Sequence, residues 1–126
     1  MKVRGGITFD TGALIALERR TQRIWTIYRA AMEDRVTITV PAAALVEWWR
    51  GRTDARDRIL AGVRLESLHP KLACLAGEAL AAVSASPVDA MVMASAALRG
   101  DVVYTSDVAD LEALRRYFPA VRVLSV

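Results

Sequence analysis

The fold is decided by one stretch of the chain, residues 86–110, which reads SPVDAMVMASAALRGDVVYTSDVAD. A serine and a proline open it, and both residue types favour the first positions of a helix. The apolar run that follows ends at Gly100, a typical end of a helix. The β-branched and aromatic residues at 102–105 then predict a strand, and a second helix is predicted over 107–117. This order of helix, strand and helix is typical of parallel sheets covered by helices.

The same alternation continues through the rest of the chain. Further strands are predicted at 6–9, 36–40, 63–68 and 121–126, and further helices at 11–17, 21–35, 41–51, 54–61 and 70–83. No Asn-Gly or Asp-Gly pair, the common hairpin signal, occurs in the sequence. We therefore expect an α/β fold with three layers, α/β/α, around a central parallel sheet of five strands, in a single domain spanning residues 1–126.

Composition limits the class of protein. Hydrophobic residues make up 54% of the chain and charged residues 25%, which excludes a largely disordered protein. No apolar run is long enough for a membrane span, so a cytoplasmic protein is expected. Cys74 and His69 are the only residues of their kinds, which excludes metal sites of the cysteine and histidine type. Cys74 is expected in the core, and His69 is expected to cap a loop. The net charge of +3 permits a polyanionic partner without requiring one.

Acidic residues follow the ends of two predicted strands. Asp10 ends the first strand, and Asp107 follows the fourth by two residues. Asp89 begins the helix that leads into the fourth strand, and because that helix runs antiparallel to the strands, its N-terminus lies at the same edge of the sheet. Ligands bind at this edge in parallel α/β folds. We therefore expect these three carboxylates to converge, while the sequence places Glu47, in the helix after the second strand, less firmly.

Clustered carboxylates repel one another, and a divalent cation relieves that repulsion. Oxygen ligands favour Mg²⁺, with Mn²⁺ as an alternative. With no histidine or cysteine placed to act as base or nucleophile, we expect water activated by a metal to attack a phosphodiester. Each acid also has a simpler interpretation: Asp89 and Asp107 would cap helices, the latter with Asp110, and Glu47 would be a solvated helix residue. Asp10 has no equally clear capping partner.

At four places the sequence resembles the PIN domain, and within that group the VapC-type toxin of a toxin–antitoxin pair. These places are Phe9-Asp10-Thr11, Glu47, Val88-Asp89-Ala90 with the small residues that follow it, and Tyr104-Thr105-Ser106-Asp107. The resemblance spans essentially the whole chain in order. It implies a PIN-like fold and a Mg²⁺-dependent endoribonuclease whose catalytic acids are Asp10, Glu47, Asp89 and Asp107.

The resemblance also implies roles for neighbouring residues and for partners. Asp10, Asp89 and Asp107 would bind the metal directly, Thr11 or Thr105 would assist through its hydroxyl, and Asp110 would be a supporting acid. The implied partners are an RNA substrate, a small antitoxin protein that blocks the acidic pocket, and a second copy of the chain in a homodimer. Two other functions stay open. One is an inactive PIN-like adaptor that only binds a partner, and the other is a signalling receiver domain, for which Lys2 and Lys71 are poorly placed.

Basic and aromatic residues are concentrated near the end of the helix that follows the second strand. Arg50, Arg52 and Arg56 are candidates for contacts with RNA phosphates, with a solvated charged helix as the alternative. Trp48 and Trp49 are adjacent, and on a helix their side chains point about 100° apart. One tryptophan is therefore expected in the core, and the other against an antitoxin or a second subunit, with stacking on RNA bases as the alternative.

Overall fold

The structure, a computed structural model, describes residues 5–126, so Lys2 lies outside the described part. Five strands form its sheet: β1 (Ile7–Phe9), β2 (Ile38–Pro41), β3 (Arg64–Glu66), β4 (Val102–Thr105) and β5 (Val123–Ser125). They lie in the order β3-β2-β1-β4-β5, and every neighbouring pair is parallel. The predicted parallel sheet of five strands is confirmed, although the third and fifth strands are shorter than the sequence predicts.

The helices of the described chain cover the sheet. They are α1 (Thr11–Glu18), α2 (Gln22–Glu33), α3 (Ala42–Trp48), α4 (Asp54–Ala61), α5 (Pro70–Ala82), α6 (Pro87–Arg99) and α7 (Val108–Tyr117). The side chains of Thr53, His69 and Ser86 cap α4, α5 and α6, and each accepts a backbone N–H of the first turn at 3.1 to 3.3 Å. Within residues 5–126 no single helix is both long and apolar enough to cross a membrane; only α5 and α6 taken together, bent by 120°, meet the length and composition.

The helix after β2 differs from the prediction at both ends. Pro41 is the last residue of β2 and the N-cap of α3, where the sequence predicts the first helical residue. The helix ends at Trp48, in place of the predicted end at Gly51. Trp49 has an extended backbone, with φ −68° and ψ 127°, so the chain leaves the helix there. The residues between α3 and α4 therefore form a loop.

Helix α6 lies at the centre of the fold. It packs on α3, α5 and α7 and on strands β1, β2 and β4. Its buried side chains are mostly small, which lets the helix approach the sheet closely: Ala90, Val92, Met93, Ala94, Ser95 and Ala96. Because Asp89 lies in the first turn of this buried helix, the packing of the core fixes where Asp89 stands.

Cys74 is exposed, which corrects the expectation that it lies in the core. The buried face of α5 carries Leu72, Ala76 and Ala79. Cys74 is two positions from both Leu72 and Ala76, and two positions correspond to about 200° around a helix. Its side chain therefore points away from the core.

Candidate active site at the carboxyl edge of the sheet

Asp10 joins β1 to α1 and is the most buried acid of the site, with 9% of its surface exposed. Its Oδ1 accepts the N–H of Ala13 at 2.8 Å, so Asp10 is the N-cap of α1. This capping bond corrects the expectation that Asp10 has no clear capping partner. Burial raises the pKa of Asp10, and the charge of Asp89 raises it further, although hydrogen bonds from the Thr105 hydroxyl and from the backbone N–H groups of Ala13 and Gly12 act against this rise.

Asp107 lies at the corresponding place after β4. It is the N-cap of α7, and its Oδ1 accepts the N–H of Asp110 at 3.3 Å. The N–H of Asp107 donates to Oγ1 of Thr105, a residue with 1% of its surface exposed, at 3.0 Å. A hydrogen bond to the Asp107 side chain and the charge of Asp107 raise the pKa of Asp110. Thr105 therefore relates to both strand ends, because its hydroxyl lowers the pKa of Asp10 and accepts the backbone N–H of Asp107.

Asp89 lies in the first turn of α6, where its N–H donates to Oγ of Ser86 at 3.1 Å. Its side chain is half-buried. Burial raises the pKa of Asp89, and the charges of Asp110, Glu47 and Asp107 raise it further, whereas a hydrogen bond with the Ser86 side chain lowers it. Since Asp89 also raises the pKa of Asp10, the five acids form one electrostatic cluster.

Glu47 lies in the last turn of α3 and is exposed. Its Oε1 accepts the hydroxyl of Thr11, the first residue of α1, at 2.7 Å. This bond ties α3 to α1 at the edge where Asp10 lies. The side chain that the sequence places least firmly is therefore brought to the other acids, and Thr11 is the residue that holds it.

The acids of this cluster have no cationic partner among the residues that the structure describes. Within residues 5–126 none of the five has an arginine, lysine or histidine nitrogen within 4.0 Å of its carboxylate. Glu66 and Asp101 differ, since both pair with Arg99 at 2.9 Å. Capping accounts for one oxygen of Asp10 and one of Asp107. It does not account for five negative charges gathered without a cation from the described part of the chain.

The donor set fits a hard divalent cation, because it consists of carboxylate and hydroxyl oxygens. In the described part of the chain, no three side chains of aspartate, glutamate, histidine or cysteine are grouped so that they could hold a metal ion as they stand. Binding by three of these acids therefore requires a change in side-chain conformation. Asp107 and Glu47 are exposed, so their side chains have room to make it.

The three arginines that the sequence suggests for RNA contacts have different surroundings. Arg50 is exposed, and its Nη1 donates to the carbonyl of Trp49 at 2.7 Å. Arg52 is also exposed and pairs with Asp57 at 3.3 Å. Arg56 is mostly buried, and its guanidinium binds the Glu18 carboxylate at 3.1 Å and the Gly51 carbonyl at 2.9 Å. Arg50 and Arg52 are thus accessible to a ligand, whereas the Arg56 guanidinium holds α4 and the preceding loop against α1.

Trp48 lies in the core at 4% exposure, as the sequence predicts for one tryptophan of the pair, and Trp49 is half-buried. Nε1 of Trp48 donates to Glu18 at 2.9 Å, so Glu18 joins α1, α3 and α4. Beside this junction a groove of about 520 Å³ extends from Glu47 to Arg50. Neither Glu18 nor Gly12 could be found from the sequence. The two partners of Glu18 lie in separate helices, and Gly12 packs against Ser106, a residue distant in sequence.

The comparisons with known proteins agree with this architecture. No protein-family model matches the chain, and none of the curated proteins gives a significant match. Among solved structures, a chain of the DNA-bound VapBC from Salmonella typhimurium is similar, with a TM-score of 0.69 and 18% identity over 95% of this chain and 97% of that one. A chain of VapBC2 from Rickettsia felis, bound to a promoter DNA fragment, gives a TM-score of 0.73 and 11% identity over 95% of this chain and 98% of that one.

A toxin–antitoxin complex from Klebsiella pneumoniae gives a TM-score of 0.68 and 17% identity over 92% of this chain and 95% of that one. At such low identities the likeness concerns the fold, and it extends over nearly the whole length of both chains. The three-layer, PIN-like α/β/α fold that the sequence predicts is therefore confirmed.

Proposed function

We propose that this protein is a metal-dependent endoribonuclease of the PIN-domain type and the toxin of a VapBC-like, type II toxin–antitoxin pair, acting in the cytoplasm. One observation carries the proposal: five acids, none of them paired with a cation from residues 5–126, gather at the carboxyl edge of a parallel sheet. A protein gains nothing in stability from such repulsion, so a ligand of opposite charge is the physical reason to keep it. The fold shared with chains of toxin–antitoxin complexes supports the same assignment.

Asp10, Asp89 and Asp107 would hold Mg²⁺, or Mn²⁺ in its place. When bound, the cation would neutralise the carboxylates and make a coordinated water more acidic. Thr105 keeps Asp10 and Asp107 in a fixed relation through its hydroxyl. Thr11 orients Glu47 through Oε1, which leaves Oε2 to take up a proton from the attacking water.

The surroundings of the site support the proposed substrate and partners. Arg50 and Arg52 are exposed beyond Glu47 and would bind phosphates of an RNA strand. A small antitoxin would inhibit by placing a cationic segment among the acids, where the described chain offers none. Trp49 and Val46, which is 74% exposed, would lie in the contact with the antitoxin or with a second subunit of a homodimer.

The test is cleavage of single-stranded RNA by the purified protein, with Mg²⁺ and with EDTA. Cleavage should require the metal and leave a 5′-phosphate and a 3′-hydroxyl. Asp10→Asn should reduce the rate on the order of 100-fold, whereas the matched control Asp54→Asn, in the first turn of α4, should leave it unchanged. Full activity in EDTA, or a cyclic phosphate product, would contradict the mechanism.

The alternative function is an inactive PIN-like adaptor, which would bind a partner without cleaving RNA. Expression in a bacterial host separates the two. The nuclease toxin should stop growth, the small protein encoded by the neighbouring reading frame should relieve the arrest, and Asp10→Asn should be harmless. Toxicity that survives Asp10→Asn would favour the adaptor.

A further inference from the structure

Gly12 lies in the first turn of α1 and packs against the turn between β4 and α7. A Cβ built on Gly12 would lie 2.0 Å from Oγ of Ser106, 2.9 Å from its Cβ and 3.1 Å from its backbone nitrogen. The hydroxyl of Ser106 could rotate away from such a group. The Cβ and the nitrogen could retreat only if the turn itself moved.

The backbone of Gly12 does not require glycine. Its φ is not positive, unlike that of Gly5, Gly51 and Gly100, so an alanine could adopt its helical conformation without strain. What position 12 requires is space for Ser106.

Ser106 stands between two residues that build the acidic site. Thr105 precedes it and contacts the Asp10 carboxylate, while its Oγ1 accepts the N–H of Asp107 at 3.0 Å. Asp107 follows and caps α7. A displacement of Ser106 should therefore move both neighbours and change the distance between Asp10 and Asp107.

We propose that Gly12 is a positioning residue of the candidate active site, whose missing side chain lets Ser106 pack on α1 and so sets Asp107 against Asp10 and Asp89. This inference rests on the proposed function, in which these acids hold a divalent cation. Displacement of one ligand residue should weaken metal binding without unfolding the protein, because Ser106 is exposed and outside the core.

A rescue series tests the contact. Gly12→Ala introduces the clash, Gly12→Ala with Ser106→Ala removes the hydroxyl but keeps the Cβ, and Gly12→Ala with Ser106→Gly removes both. Gly77→Ala is the matched control, because a Cβ at this helical glycine of α5 would meet no atom within 4 Å. Ser106→Val enlarges the other side of the contact and gives a second test should Gly12→Ala fold poorly.

Two readouts are needed. In metal-free protein, Gly12→Ala should shift the ¹H–¹⁵N amide signals of Thr105, Asp107 and Asp110, and adding Ser106→Gly should return them towards their wild-type positions. By calorimetric titration with Mn²⁺, Gly12→Ala should bind roughly tenfold to a hundredfold more weakly. The double variant that includes Ser106→Gly should recover most of that loss, and the double variant that includes Ser106→Ala only part of it.

The outcomes separate this inference from the proposed function. Unshifted signals in Gly12→Ala, or shifts that the added Ser106→Gly does not reverse, would overturn the positioning role. Equal Mn²⁺ affinity in Gly12→Ala and Gly77→Ala would do the same. If the wild-type protein binds no Mn²⁺, the proposed function fails, and the metal-free signals alone decide on the contact.

Discussion

Asp89→Asn removes one charge from the acidic cluster while leaving the helix cap in place. The cap of α6 is the bond from the backbone N–H of Asp89 to Oγ of Ser86, and the substitution does not touch that N–H. The amide oxygen of asparagine can still accept the Ser86 hydroxyl. The carboxylate, however, is half-buried and lies near the charges of Asp110, Glu47 and Asp107, all of which raise its pKa and oppose its ionisation.

The two interpretations of Asp89 predict different changes in stability and in the stabilisation by Mg²⁺. As a member of a metal site, it costs stability in the apo protein, so Asp89→Asn should melt no lower than wild type in EDTA. At about a hundredfold excess of Mg²⁺ over Kd, wild type should gain about 2.7 kcal/mol, which is very roughly 10 °C in Tm for a domain of this size. The variant should lose most of that gain.

As a capping residue alone, Asp89 predicts the opposite pattern. Asp89 would then contribute only the interaction of its charge with the N-terminus of α6, so Asp89→Asn would lose about 0.3–1 kcal/mol in EDTA and respond to Mg²⁺ as wild type does. The assay is a thermal melt of both proteins in EDTA and in Mg²⁺, with Asp54→Asn as the control. Asp54 also lies in the first turn of a capped helix but outside the cluster, so its response to metal should match wild type. A lower Tm in EDTA with an unchanged metal gain would refute the reasoning.

Three further predictions follow from the same contacts. Thr11→Val removes the donor to Glu47 and should lower kcat/KM for RNA roughly tenfold. The control Thr26→Val, which removes an exposed hydroxyl bonded to a helix carbonyl, should leave kcat/KM unchanged, and equal values in the two variants would exclude the positioning role of Thr11. Arg56→Met should lower the free energy of unfolding by about 1–2 kcal/mol in a denaturant titration, whereas Arg52→Met should lower it less but weaken RNA binding. A larger loss of stability in Arg52→Met than in Arg56→Met would contradict the assigned roles. Folding raises the pKa values of Asp10 and Asp89 above 3.8, so the folded state binds protons more readily than the unfolded one. The free energy of unfolding of wild type should therefore lie below that of a variant with asparagine at both positions, by an amount that is constant at neutral pH and shrinks as pH falls through the raised pKa values. A difference that grows on acidification would contradict those shifts.

Local signals explain why most of the fold was predictable. The serine before α6, the proline at its first position and the glycine after it mark that helix without reference to the rest of the chain. The alternation of strands and helices without a hairpin signal then leaves a parallel sheet as the simplest arrangement. The end of α3 was not predictable, because the extended backbone of Trp49 belongs to a loop that Arg56 and Glu18 hold from other helices.

The candidate site likewise contains residues that the local sequence could place and residues that it could not. Asp10, Asp89 and Asp107 could be placed from sequence because each stands at the end of a strand or the start of a helix, and the topology brings those ends together. The position of Glu47 depends on a hydrogen bond to Thr11, 36 residues away, which no local pattern encodes. The burial of Arg56 likewise depends on a tertiary contact with Glu18, so its basic character alone suggested an exposed role.

The central claim is that the acids at the carboxyl edge form one site for a divalent cation, and paramagnetic broadening by Mn²⁺ tests it most directly. In ¹H–¹⁵N spectra at substoichiometric Mn²⁺, the amide signals of Thr11, Ala90 and Asp107 should broaden first and together. Those of Thr8 and Ser95, beside the acids that pair with Arg99, should broaden later. In Asp10→Asn the selective broadening should disappear. Broadening that is uniform along the chain, or that persists unchanged in Asp10→Asn, would contradict the account.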